Sequence, residues 1–174
     1  QAGEISASGL APSDSLESAI IATLSPGSYT AVVNGYQGGE GVGLVEAYEL
    51  DSNGTRLVNI STRGRVGLSN DVMIGGLIVQ GSNPKRAIVR ALGPSLATGP
   101  SPIVGALIDP VLELRDSFGS LIASNDNWNS SHFHYSLRCL PYDLSLNRSL
   151  VRGKVHPDHC VCDGNRGNQY GLLD

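Results

Sequence analysis

The stretch DPVLELRDSFGSLIASNDNW, residues 109–128, reads as two short strands and the turn between them. In the first strand Glu113 sits between Leu112 and Leu114, the period-2 alternation of a strand with one face buried and one solvated. In the second, SLIAS (120–124) is strand-length and apolar. Between them Asp116-Ser117-Phe118-Gly119 has turn chemistry and closes a hairpin.

The same pattern extends in both directions. Upstream, RLVNIST (56–62), VMIGGLIVQ (72–80) and RAIVRAL (86–92) are strand-length runs rich in β-branched residues. Nearer the start, SAIIATL (18–24), SYTAVVNG (28–35) and GLVEAYEL (43–50) repeat it. Ser25-Pro26-Gly27-Ser28 is expected as a type II turn returning one strand onto the next, because proline presets its second position and glycine supplies positive φ at the third. The glycine-rich YQGGEGVG (36–43) is expected as a mobile loop. Pro12 to Glu17 has room for one helical turn, with Ser13 or Asp14 as its cap. Eight strands and no convincing helix predict an all-β, antiparallel β-sandwich of jelly-roll or immunoglobulin-like type, with an irregular C-terminal tail.

A chain of 174 residues holds one good core and not two large domains. Its 40% apolar residues, 16% charged residues and 22 glycines suit a β-rich globular protein and lack the charge excess of disorder. No run of eighteen apolar residues is present, so no membrane insertion is expected. The opening QAGEISASG lacks the basic and apolar stretches of a signal peptide, and the chain is expected to be a mature segment or a fragment. Three cysteines cannot all pair, and none precedes Cys139, so disulfides do not organise the fold.

Charge is distributed unevenly. Residues 1–51 carry Glu4, Asp14, Glu17, Glu40, Glu46, Glu49 and Asp51 and no lysine or arginine, whereas residues 52–100 carry Arg56, Arg63, Arg65, Lys85, Arg86 and Arg90 against Asp71 alone. Neighbouring strands whose charges pair on a solvated face explain this most simply, and head-to-tail docking of modules is the alternative. The cations come without interleaved aromatics on an acidic molecule, so nucleic acid is not an expected partner.

The long stretches LVNISTRGRVG, VMIGGLIVQGSNPKRAIVRALGPSL and DPVLELRDSFGSLIASNDNW together resemble the first half of a tandem β-sandwich repeat module of large secreted or surface-attached bacterial proteins. GLAPSDSLESAIIATLSPGSYTAVVNGYQGGEGVGLVEAYELD resembles that module's second half, so the halves stand here in swapped order. A looser likeness is to bacterial pre-peptidase-type C-terminal domains, where an Asn/Asp-rich loop also follows a strand. The resemblance covers about residues 3–128 and implies that residues 1–51 are the second half of one module. Residues 52–131 are then the first half of the next, the two packing as one sandwich. It implies an extracellular or cell-surface location, and neighbouring repeat modules or a surface polysaccharide as partners. It assigns no catalytic role.

Residues 132–174 lose the module's pattern, and all four histidines and three cysteines of the chain fall there. A reading-frame slip in the gene would account for both, which translation of its other frames tests. Within this aberrant tail, His156, His159, Cys160 and Cys162 are soft or borderline ligands that suit zinc, although adjacent His159 and Cys160 point apart in an extended chain and no paired CxxC is present.

Asn125, Asp126 and Asn127 offer hard oxygens that suit calcium, with other loops needed for more negative charge; the same residues are also ordinary turn formers. No other cofactor is expected. Trp128 is a candidate binding residue, against a packing role in the core or between modules. Gly38, Gly39, Gly41 and Gly43 lead into a strand and no Gly-Lys-Ser/Thr follows, so they do not make a phosphate loop. Gly93-Pro94-Ser95 is not a nucleophile elbow, and no histidine lies in the repeat-like part to serve as a base.

The chain is therefore expected to be non-enzymatic: a structural or adhesive repeat module of an exported bacterial protein. The alternative is a carbohydrate-binding or accessory β-sandwich domain of a secreted hydrolase, stabilised by calcium.

Overall fold

Among the described residues nine strands form two antiparallel sheets in the computed structural model, which describes residues 1–51 and 60–130, and 133–135 in their backbone. In chain order the strands are β1 (Ser18–Leu24), β2 (Gly27–Gly35), β3 (Gly41–Glu49), β4 (Ile60–Val66), β5 (Met73–Val79), β6 (Lys85–Leu92), β7 (Pro110–Asp116), β8 (Leu121–Asn125) and β9 (Phe133–Tyr135). One sheet runs β1-β6-β3-β4 and the other β5-β2-β7-β8-β9. Two short helices accompany them, α1 (Ala2–Ala7) and α2 (Pro94–Thr98). The all-β sandwich expected from the alternation is the fold observed.

Alternation is clearest in β5, where Met73, Gly75, Leu77 and Val79 are buried and Ile74, Gly76 and Ile78 are exposed. The inward-facing positions of both sheets meet in the main core, which includes Ile20, Val33, Val45, Val89, Leu112 and Leu114, each at most 3% exposed. A second, smaller core lies on the outer face of the first sheet. There Ile5 of α1 packs with Ala19, Ile21 and Ile88, flanked by Leu10, Tyr48 and Trp128.

The structure departs from the expected turns at two places. Gly27 has φ 158°, far from the roughly +80° of a type II turn, and is already the first residue of β2. The turn does not form because β1 and β2 are not partners: β1 pairs with β6 and β2 with β5 and β7. Ser25 and Pro26 carry the chain from one sheet across to the other. The glycine-rich segment also contributes more to the sheet than expected, since Gly41 and Gly43 are buried residues of β3. The Asp116–Gly119 hairpin forms as read: the Asp116 carboxylate accepts from the Phe118 and Ser120 amides, and Gly119 takes φ 77°.

Segment 12–17 makes a turn rather than a helix. Asp14 Oδ1 accepts from the Leu16 amide as in an Asx turn, the Glu17 amide donates to the Asp14 carbonyl, and Glu17 Oε2 accepts from the Asp14 amide, the glutamate half of a capping box without the helix.

The unequal charges of the sequence pair across the first sheet and its flanks, two pairs largely buried and two exposed. Glu46 lies opposite Arg90 in the β3–β6 ladder and pairs with it at 2.7 Å, and Arg90 also stacks over the Tyr48 ring. Lys85, only 3% exposed, pairs with Glu49 at 3.1 Å. Arg65 pairs with Glu40 at 2.9 Å, and Arg86 with Glu4. Four acids of residues 1–51 are thereby matched to four cations of residues 52–100 on neighbouring strands and the adjoining helix.

Candidate functional site

The ends of β2 and β8 and the starts of β1 and β7 lie at one end of the sandwich, together with the loops 36–40, 67–72 and 93–109. Ser18 ties this end together. Its hydroxyl lies 2.5 Å from the carbonyl of Pro110 and 2.6 Å from that of Asp126, bringing the residue after Asp109 and the loop after β8 to the same point.

Three side-chain oxygens at this end are buried with no hydrogen-bond partner: Oδ1 of Asp109, of Asp126 and of Asn127. Burying an oxygen without a partner costs about 1–3 kcal/mol, more for a charged group. The Asp109 carboxyl is held above the ordinary aspartate value, first by burial and second by the negative charge of Asp126. Two carboxylates whose negative charges act on each other and a neighbouring amide, each with one buried oxygen lacking a donor, make a hard-oxygen set. A calcium ion, which prefers six to eight oxygen ligands and offsets carboxylate charge, fits that donor chemistry.

The predicted ligands separate here. Asp126 and Asn127 present buried oxygens, whereas Asn125 does not: its Oδ1 accepts from the Ala19 amide at 3.0 Å and its Nδ2 donates to the Asn127 carbonyl. At 2% exposure it is a staple between β8 and β1. The extra carboxylate that the sequence required from another loop is Asp109, whose backbone carbonyl accepts from the Tyr36 amide. Nothing in the local sequence marks it, because Asp before Pro reads as an ordinary turn.

Trp128 stands beside this site and faces away from it into the smaller core. Its indole N–H donates to the Asp14 carbonyl and its amide to that of Glu17, so the side chain holds the 14–17 turn against the sheet. Glu17 is fully buried and deeply satisfied. One carboxylate oxygen accepts from the Gly93 amide, the Ser95 amide and the Ser95 hydroxyl, and the other from Asp14.

His156, His159, Cys160 and Cys162 lie outside the described residues. Among the described residues no group of three or more His, Cys, Asp or Glu side chains could gather a metal, so a cation at this end would take its remaining ligands from the Asn127 amide, backbone carbonyls and water. No described helix is long and apolar enough to cross a membrane. Comparison with protein-family models, curated proteins and solved structures finds no match to the chain.

Proposed function

We propose that this chain is a non-enzymatic structural or adhesive module of an exported bacterial repeat protein, the 1–51 and 52–131 segments being parts of successive copies. Its ends would stack on neighbouring modules. The observation that carries this reading is the placement of exposed apolar side chains. Val104 is 97% exposed and Ile108 73%, in the loop leading to Asp109, with Tyr36 and Leu68 exposed at the same end. Phe118, 88% exposed, tips the hairpin at the opposite end. Apolar groups gathered at both tips of the domain mark contact surfaces, and repeat arrays draw stability from such nearest-neighbour interfaces.

Two copies of the chain joined in tandem are expected to melt at a higher temperature than the single chain, independently of protein concentration. Val104→Asp with Ile108→Asp in both copies should remove the gain. Superimposable melts of single and tandem chains would sink the stacking model.

A second reading, an accessory or carbohydrate-binding domain held by calcium, is favoured by the unpartnered oxygens of Asp109, Asp126 and Asn127. Calcium binding only to the folded state would add about 2.7 kcal/mol at a hundredfold excess over its Kd. The melting temperature is then expected to rise in calcium and return to its starting point in chelator, with Asp126→Asn abolishing the response. Identical melts with calcium and with chelator would exclude a stabilising ion.

A further inference from the structure

We infer that β5 is a self-association edge, through which two copies of this chain pair antiparallel about Gly76 into one continuous sheet. This uses the side of the sandwich, not the ends on which module stacking depends.

Among the described residues β5 is the terminal strand of its sheet and pairs on one side only, with β2. An open edge presents a row of backbone donors and acceptors, and proteins that stay monomeric block such edges with charge, proline or a covering segment. The other edges with described side chains carry those devices. On β1, the Gln1 carboxamide accepts from the Ile21 amide and donates to its carbonyl, plugging the edge, while α1 packs beside it. On β4, Arg63 and Arg65 stand exposed, and a second copy laid along it would bring like charges together. Among the described residues β5 has no such block, and from Val72 to Pro84 the chain contains no charged residue.

Its sequence is also self-complementary. In an antiparallel pair centred on Gly76, Ile74 of one copy lies opposite Ile78 of the other, and both Ile–Ile pairs fall on the outer face. These side chains are 58% and 61% exposed in the single chain. On the inner face Met73 meets Val79 and Gly75 meets Leu77, setting a small residue against a large one. A shift of two residues in either direction leaves both isoleucines of each copy without an isoleucine opposite, so the side-chain pattern selects this register. The arrangement is isologous: it consumes the edge of both copies and stops at two. Thr30 and Val32 of β2 continue the outer face beside it, so the paired isoleucines join an existing half-buried surface.

Sedimentation and light scattering of the full chain over a concentration series are expected to show a monomer–dimer equilibrium. Ile78→Lys, placing a charge opposite Ile74 of the second copy, should weaken the dimer about tenfold or more while leaving the melt of the monomer unchanged. The double variant Ile74→Glu/Ile78→Lys should restore it, because the introduced carboxylate of each copy then faces the introduced ammonium of the other, giving two ion pairs related by the two-fold axis. Ile74→Lys serves as an independent single variant, and Val104→Asp/Ile108→Asp should leave the dimer intact. A wild-type chain that remains monomeric at all concentrations overturns the proposal, as does an Ile78→Lys dimer of wild-type affinity. Failure of the charge-swapped double variant to recover overturns the Gly76-centred register. Loss of the dimer in the Val104/Ile108 variant would move the contact to the loop end.

Discussion

Glu17→Ala is expected to lower the stability of the sandwich by about 3–5 kcal/mol, because it removes several hydrogen bonds to a buried charged acceptor at once. The magnitude follows from what the carboxylate holds. It takes hydrogen bonds from four donors on two segments far apart in sequence, Asp14 on one side and Gly93 and Ser95 on the other. Alanine would leave the Gly93 amide buried and unmet, at about 1–3 kcal/mol, and would take their charged acceptor from the half-buried Asp14 and Ser95 donors. A domain of this size holds only about 5–15 kcal/mol in total, so the variant should lose a large share of its folded population on mild heating. Glu17→Gln separates charge from geometry. Its oxygen can still serve Gly93 and Ser95, but its NH2 group then faces the Asp14 amide donor to donor. A smaller loss, about 1–2 kcal/mol, is expected. Urea denaturation of both variants decides the matter: equal midpoints for wild type and Glu17→Ala would show that the buried carboxylate contributes nothing net.

Gly93→Ala is expected to cost about 3 kcal/mol, the upper range for forced overpacking. A methyl group on Gly93 would collide with the carbonyl oxygen of Leu107, which is backbone and cannot swing aside. The Leu107 backbone is fixed from the other flank as well. Its amide donates to Val42 at 2.9 Å, and a methyl group on Gly41 would lie 2.6 Å from its nitrogen. Leu107 therefore threads between two glycines to bury its side chain completely. The loss should be accompanied by faster hydrogen exchange at Leu107 and Val42, because the 105–107 segment must retreat. Leu107→Ala provides the scale, at about 2–5 kcal/mol for a deleted core leucine. A Gly93→Ala chain within about 0.5 kcal/mol of wild type, the range of harmless surface changes, would mean that the loop moves without penalty.

Most strands were legible because they are local, although β4 runs from Ile60 to Val66 and shares only residues 60–62 with the RLVNIST run, whose residues 56–59 lie outside the described residues. β1 matches the SAIIATL run residue for residue, and β5, β6, β7 and β8 fall within two residues of the apolar runs that announced them. Their partners were not legible, since Pro26-Gly27 is equally good chemistry for a hairpin and for a crossing between sheets. Helix α1 escaped because AGEISA is too short to show a period and is held by Ile5 entering the smaller core. The candidate site was half legible. The loop Asn125–Asn127 announced hard oxygens, but only tertiary contact could assign Asn125 to the Ala19 amide and bring in Asp109. Glu17 did leave a signal in the spacing Asp14-x-x-Glu17, which marks a cap; that its other oxygen would serve Gly93 and Ser95 depends on a contact across more than seventy residues. Pro94 after Gly93 likewise suits the first position of a helix, and α2 begins there.

None of β1, β2 and β3 pairs with another of the three; every ladder they make is to a strand between residues 60 and 116. Within the described residues β1, β2 and β3 therefore cannot close on one another, and their ladders are complete only once β6 and β7 are in place. Such non-local closure folds slowly. The same wiring makes the two portions mutual templates: a nick between β3 and β4 would leave two polypeptides, each supplying the hydrogen-bonding neighbours that the other lacks.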